Sequence, residues 1–225
     1  MLHLMSYCSP RFIDLVKTYL IPSLPKEFEY LDLVITNKDT EYWLQQEFMV
    51  RRIEAMRDKV LAYQGEQLMF VDADVIFSKK FKSSQVLDLL KTNDILFQLN
   101  GNWPYNTGVW IANCTPQILE VFTKWVEVIR EQKTITIHNS DQAIINAMLV
   151  ECNIKKHTNL PIEFSASHMD NIYLSYQTLG QQKPNPDTYG IYKSMPPNTV
   201  LFHATGAYTL PEKIKVLQWA KENMQ

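Results

Sequence analysis

Apolar residues fall along this chain in two alternating ways, as short unbroken runs and as stripes at helical spacing. Met1 to Tyr7 is the first run and predicts a strand. Ser9-Pro10 then sets an N-cap residue before a proline at the first helical position. Phe12, Leu15, Val16, Tyr19 and Leu20 follow at helical spacing, and Pro22 and Pro25 are expected to end that helix. Leu31 to Thr36 is rich in branched residues and predicts a second strand. Glu41 to Ala62 predicts a long helix carrying Trp43, Leu44, Phe48, Ile53, Met56 and Val60. Gln67 to Val71 is short, apolar and bounded by polar residues, the pattern of a buried parallel strand, and it runs into Asp72-Ala73-Asp74.

Beyond that point Ser83 or Ser84 caps a short helix to Leu90, and Asp94 to Leu99 predicts a strand. Gly101 to Pro104 reads as a turn, and Tyr105-Asn106-Thr107-Gly108 leads into a strand from Val109 to Ala112. Thr115-Pro116 repeats the cap-plus-proline start for a helix reaching about Glu131, and Ser140-Asp141-Gln142 opens another that ends near Glu151. Lys155 to Phe164 suits one or two irregular strands. Pro184 to Pro197 is punctuated by proline and glycine and predicts a long loop. Val200 to Phe202 is a last short strand and Pro211 to Met224 a closing helix. Strands alternating with helices imply βαβ units, so the expectation is one α/β domain over 1–225. Its central sheet is mostly parallel and flanked by helices, with a more mixed C-terminal part.

Composition narrows the chemistry. In 225 residues, Lys+Arg 22 against Asp+Glu 24 leaves a net charge of -2, which excludes a general grip on a phosphate backbone. An anionic small molecule is still allowed, because one divalent cation neutralises it locally. Cys8, Cys114 and Cys152 are odd in number and form no CxxC pair, so core thiols in a reducing compartment are expected rather than disulfides or a zinc ribbon. The N-terminus lacks the basic and apolar regions of a signal peptide, and no run approaches the roughly 18 apolar residues of a membrane span. A soluble, cytoplasmic protein is the expectation. Starting directly with a strand and ending with one helix, the chain also suits an excised domain of something larger.

Asp72-Ala73-Asp74 is the sharpest candidate. Chance supplies about half a D-x-D match in a chain with this much Asp, so position carries the argument. In extended backbone, residues i and i+2 project to one side, and ligands of open α/β sheets gather beyond the carboxyl ends of the strands. Two hard carboxylates there suit Mg²⁺ or Mn²⁺ bridging phosphate oxygens. The plain alternative is a solvated turn. His203 alone reads as a core or surface histidine, Asp141 as a first-turn acid favouring the helix dipole, and Asn106-Thr107-Gly108 as a turn entering a strand.

An apolar strand into D-x-D, then N-T-G before a strand, D-Q opening a helix, and His-x-x-Gly near the C-terminus occur here in that order. In this the chain resembles the GT-A glycosyltransferases, nucleotide-diphospho-sugar transferases with a Rossmann-like domain, and within them the retaining, glycogenin- and galactosyltransferase-like branch. The resemblance spans roughly Met1 to Tyr208. It implies a nucleotide-binding half of about 1–100 and a sugar- and acceptor-side half of about 101–225. Asp72 and Asp74, with Ala73 between them, would hold Mn²⁺ (or Mg²⁺) and touch the donor, and His203 would complete the metal site. Asn106 and Gly108 would line the sugar pocket, with Asp141 and Gln142 beside the transferred sugar. Ser6, Tyr7 and Cys8 would face the base, with Tyr7 stacking on it, and Arg51 or Arg52 would lie near the donor. Gly206 would belong to the His-x-x-Gly turn. The family's Lys-Pro-Trp segment is missing after it, so Lys213 and Lys193 are both candidates for the diphosphate.

The implied activity is metal-dependent transfer of a hexose from a nucleotide sugar, UDP being the usual carrier of that branch, to a glycan, glycoprotein or lipid-linked sugar with retention. No nucleic acid and no membrane span enter that scheme. Three other readings compete. A haloacid-dehalogenase-type phosphatase also uses D-x-D, but it has Gly/Thr after the pair and a later acidic pair, where this chain has Val75-Ile76 and no Asp-Asp. A sugar-1-phosphate nucleotidyltransferase needs an early glycine-rich loop, and no glycine precedes Gly65. A nucleotide-sugar-binding module without catalysis keeps every motif.

Overall fold

The structure, a computed structural model, describes all residues except 29, 38, 41–44, 101–102, 137–139, 162–164, 168–198, 206–208 and 225, and the side chains of 99, 100, 103, 104 and 165–167. Its centre is a six-stranded sheet in the order β2-β1-β3-β6-β5-β7. These strands are β1 (Leu2–Cys8), β2 (Asp32–Ile35), β3 (Gln67–Asp72), β5 (Ile95–Asn100), β6 (Trp103–Asn113) and β7 (His157–Asn159). β1 pairs in parallel with β2 and β3, and β5 with β7, whereas β6 runs antiparallel to both β3 and β5. A second sheet of three strands, β4 (Val75–Phe77), β9 (Leu201–His203) and β8 (Ser165–Ser167), lies in the order β4-β9-β8. The expected mostly parallel sheet with helices about it, and its mixed C-terminal part, are both present.

One face of the central sheet packs under three helices, α3 (Gln46–Ala62), α5 (Pro116–Glu131) and α6 (Asp141–Glu151). Met49, Ile53, Met56 and Val60 of α3 recur at the three- and four-residue steps that make one face of a helix. Trp110 of β6 stacks on Phe70 of β3 and meets Phe122 of α5, joining sheet to helices. A second cluster fills the opposite face, and a third sets α7 (Leu210–Asn223) against Phe202 and the N-terminal helical segment. Thr115 caps α5 by accepting from Ile118 N–H, as the sequence predicts.

Several local expectations are corrected. Ser9 makes no cap bond; its Oγ donates to the Thr40 carbonyl across the loop, 2.8 Å away. The helical segment continues through Pro22 as a 3-10 turn (Pro10–Phe12), the α turn α1 (Ile13–Leu15), a π turn (Val16–Leu20) and the α turn α2 (Ile21–Ser23). The wider π turn precedes Pro22 and breaks the regular ladder its missing N–H would interrupt. The residue before α4 (Ser83–Leu90) is Lys82, whose N–H is satisfied by Gln85 Oε1, so neither Ser83 nor Ser84 is the cap. Asn106-Thr107-Gly108 is inside β6, not in a turn before it. The pairing with β5 shifts register here, between Phe97 and Gln98 and again between Gln98 and Asn100. The start of the Glu41–Ala62 helix and the Pro184–Pro197 loop lie outside the described residues.

Candidate active site

Strand pairing builds the site. β3 ends at Asp72, Ala73 and Asp74 make the turn, and β4 starts at once with Val75, which pairs with His203 of β9. Ala204 N–H donates to the Asp74 carbonyl at 3.0 Å, locking the far end of the chain against the turn. Ligand atoms of Asp72, Asp74 and His203 consequently lie within 4.8 Å of one another. His203 Nε2 is 3.6 Å from Asp72 Oδ2 and 3.3 Å from Asp74 Oδ1. Asp74 and His203 are buried, whereas 28% of the Asp72 side chain is open to solvent and marks the way in.

The buried amide of Gln98 decides what His203 presents. Its Oε1 lies 2.8 Å from His203 Nδ1, and an amide oxygen only accepts, so Nδ1 carries the proton in that bond. With Nδ1 so occupied, Nε2 is the ring nitrogen that faces the two carboxylates, and two carboxylate oxygens with one imidazole nitrogen are a donor set that suits a divalent ion. Gly108 explains why a glycine is required in β6. A Cβ there would fall 2.4 Å from Asp72 Oδ2 and 2.4 Å from His203 Cε1.

A buried arginine ties this cluster to α6. Arg52 of α3 donates through Nη1 to Asp141 Oδ2, and through Nη2 to Asp72 Oδ1 at 2.8 Å and to the Thr107 carbonyl at 3.0 Å. Its guanidinium also sits 5.0 Å over the Phe70 ring. Burial works against its charge, but Asp72 and Asp141 outweigh that and raise its pKa. Asp141 is 2% exposed and doubly engaged: Oδ2 also accepts from Thr107 Oγ1 at 2.7 Å, and Oδ1 accepts from Gln142 N–H at 2.8 Å.

The two acids of the D-x-D turn are held differently. Burial pushes the Asp72 carboxyl above the usual carboxylate range, against the pull of Arg52 and His203. Burial disfavours the charge of Asp74 too, but the Lys213 ammonium on its Oδ2 and the nearby His203 hold its carboxyl well below that range. Lys213 thus reaches the turn from the first turn of α7.

Of the residues singled out from the sequence, Asp72, Asp74, His203, Gly108, Arg52, Asp141 and Lys213 come together here. Asn106 joins them: its Oδ1 accepts from Gly108 N–H at 2.8 Å, while its buried Nδ2 has no partner among the described residues. Arg51 instead points outward and pairs with Glu47 along α3. Ser6, Tyr7 and Cys8 are buried at the end of β1, with Tyr7 edge-on to Phe48 in the core. Tyr105 stacks on Phe97, and its hydroxyl is 2.6 Å from His157 Nδ1. Gly206, Lys193 and the side chain of Trp103 lie outside the described residues. Gln98 and the Thr107 side chain escaped sequence reasoning. Gln98 had a signal, being the one polar residue between the apolar Phe97 and Leu99.

A model of the nucleotide-diphospho-sugar transferase family matches residues 26–217. Solved structures with the same fold include a glycosyltransferase involved in glycosylating the major capsid of PBCV-1, 12% identical with a TM-score of 0.63, the match covering 96% of this chain and 98% of that one. The apo-form glycosyltransferase GlyE of Streptococcus pneumoniae is 13% identical with a TM-score of 0.58, covering 99% of this chain and 64% of its own. Galactosyltransferase LgtC, in complex with donor and acceptor sugar analogs, is 11% identical with a TM-score of 0.51, covering 100% and 97%. No curated protein matches the chain. No helix among the described residues is long and apolar enough to cross a membrane.

Proposed function

The chain belongs to the nucleotide-diphospho-sugar transferase family, and on that premise we propose that it moves a hexose from a UDP-sugar to a hydroxyl of a glycan, glycoprotein or lipid-linked sugar, with retention. Asp72, Asp74 and His203 would hold Mn²⁺ or Mg²⁺. The observation that carries this reading is the convergence of two carboxylates on His203 Nε2, whose other nitrogen is fixed by Gln98. A divalent ion there supplies positive charge to a leaving diphosphate. We divide the chain into a donor half of about 1–100 and an acceptor half of about 101–225, and place the enzyme in the cytoplasm, where three free buried thiols stay reduced.

The chain's own residues supply the rest. Arg52 keeps Asp72 and Asp141 at fixed separation, so the donor side and the sugar side are held by one guanidinium. Asp141, with both oxygens engaged, acts as a fixed negative charge beside the anomeric carbon and not as an attacking group. Asn106 Nδ2 is a buried donor that a sugar hydroxyl or phosphate oxygen would satisfy. Gln142 follows Asp141 on the sugar side. Lys213 is the diphosphate lysine of the two candidates, since it already reaches the D-x-D turn. Ser6, Tyr7 and Cys8 form the buried floor under the base.

The test is Mn²⁺-dependent release of nucleotide from a panel of UDP-, GDP- and CMP-sugars. UDP release that needs the metal, and falls about 100-fold or more in Asp74→Asn while the fold is kept, is the expected result. Full activity in that variant contradicts the assignment.

A further inference from the structure

We propose that Lys213 is the resident counter-ion of Asp74 and competes with the divalent cation for it, so that cation binding and release of this lysine are one coupled event. This rests on the metal-site reading above and goes beyond it. Each carboxylate of the D-x-D turn gives one oxygen to a protein cation and turns the other toward His203. Asp72 gives Oδ1 to Arg52, and Asp74 gives Oδ2 to Lys213.

The two protein cations are not equivalent. Arg52 is almost fully buried and bonds Asp72, Asp141 and the Thr107 carbonyl, with its plane held over Phe70. An entering cation leaves such a group in place. Lys213 is a point charge on a flexible four-carbon stem, 18% exposed, and its ammonium bonds Asp74 alone among the described residues. A divalent ion and an ammonium on one buried carboxylate repel each other, and the singly held, partly exposed ammonium is the one that yields. The helix body need not move. Val216, Leu217 and Ala220 anchor α7 in the core, and Thr209 with Glu212 caps its start independently of Lys213.

Two consequences follow from linkage. The cation alone binds more weakly than its ligand set allows, because it must displace Lys213. A diphosphate arriving with the cation takes up the freed ammonium, so nucleotide and cation strengthen each other's binding.

The test is calorimetric titration of Mn²⁺ into wild type and Lys213→Met, without and with UDP, circular dichroism checking the fold. Lys213→Met is expected to bind Mn²⁺ alone about tenfold tighter, with the strengthening by UDP reduced by a similar factor, and Lys213→Arg to restore weak binding of the metal alone. Equal or weaker Mn²⁺ affinity in Lys213→Met overturns the competition but leaves the metal site standing. Failure of Mn²⁺ to bind either protein overturns both. Competitive acetylation read by mass spectrometry tests the same claim in wild type, without any substitution. Mn²⁺ should make Lys213 react several-fold faster with the other lysines unchanged, and an unchanged or slower rate contradicts the proposal.

Discussion

Gly108 sits where the strand carrying it passes so close to Asp72 and His203 that any side chain meets both. Its backbone is ordinary, so the requirement is for space and not for an unusual dihedral. Gly108→Ala would place a carbon 2.4 Å from a carboxylate that Arg52 holds still and from a buried imidazole. Neither neighbour is free to retreat. The expected outcome is loss of Mn²⁺ binding together with a stability loss of about 1–3 kcal/mol in urea unfolding. Unimpaired metal binding in that variant contradicts the packing described here. Asp141 is held at the same scale: three donors on its two oxygens leave it poorly placed to attack, which supports the electrostatic role proposed for it.

Elements meet at Arg52, which joins α3 to the first residue of α6, the end of β3 and the middle of β6. Arg52→Met keeps much of the apolar stem but leaves two acids without their cation. Breaking a buried pair in this way costs about 3–5 kcal/mol, and urea melts at neutral pH should register a loss of about 3 kcal/mol or more. The deficit relative to wild type should narrow as pH falls. Protonation removes the unpaired charge of Asp72, whose carboxyl burial already pushes up, so acid helps the variant more than the wild type. A deficit that grows in acid contradicts this account.

Legibility also varied by element. α5 was readable because Thr115 makes its cap bond beside Pro116, and α7 because Pro211 stands in its first turn. Ser9-Pro10 shows the same residues, but its hydroxyl is spent on Thr40 far along the chain, and a π turn carries the helix past Pro22. Asn106-Thr107-Gly108 looked like a turn from composition, yet Asn106 pairs with Gln98 of β5 and the strand runs on through Gly108 into Val109–Asn113, which pair with β3. Local chemistry was visible in the sequence where the partner was local.

Across the whole molecule, the candidate site is made of contacts between distant segments. His203 meets Gln98 across 105 positions, Arg52 meets Asp141 across 89, and Lys213 meets Asp74 across 139. The order of motifs brought out Asp72, Asp74, His203, Asn106, Gly108 and Asp141, because their types carry chemistry. Gln98 and Thr107 act only through a neighbour, and a single sequence does not show neighbours. Choosing Arg52 over Arg51 likewise depended on which face of α3 turns inward.

The core makes its own prediction. Burial pushes the Cys8 thiol up to about 11 and Cys114 up to about 12, and Cys152 is raised as well. All three are buried and free. Thiolate is the reactive form, so native protein at pH 8 should react only slowly with Ellman's reagent, and all three should react promptly in denaturant. Fast labelling of the native protein contradicts this packing.

The most direct test of the central claim is a crystal structure of the protein grown with Mn²⁺ and UDP, the metal located by its anomalous scattering. The account predicts one manganese bonded to Asp72, Asp74 and His203 Nε2, with the UDP diphosphate on its remaining positions. Manganese and diphosphate bound elsewhere, with those three side chains untouched, would contradict it.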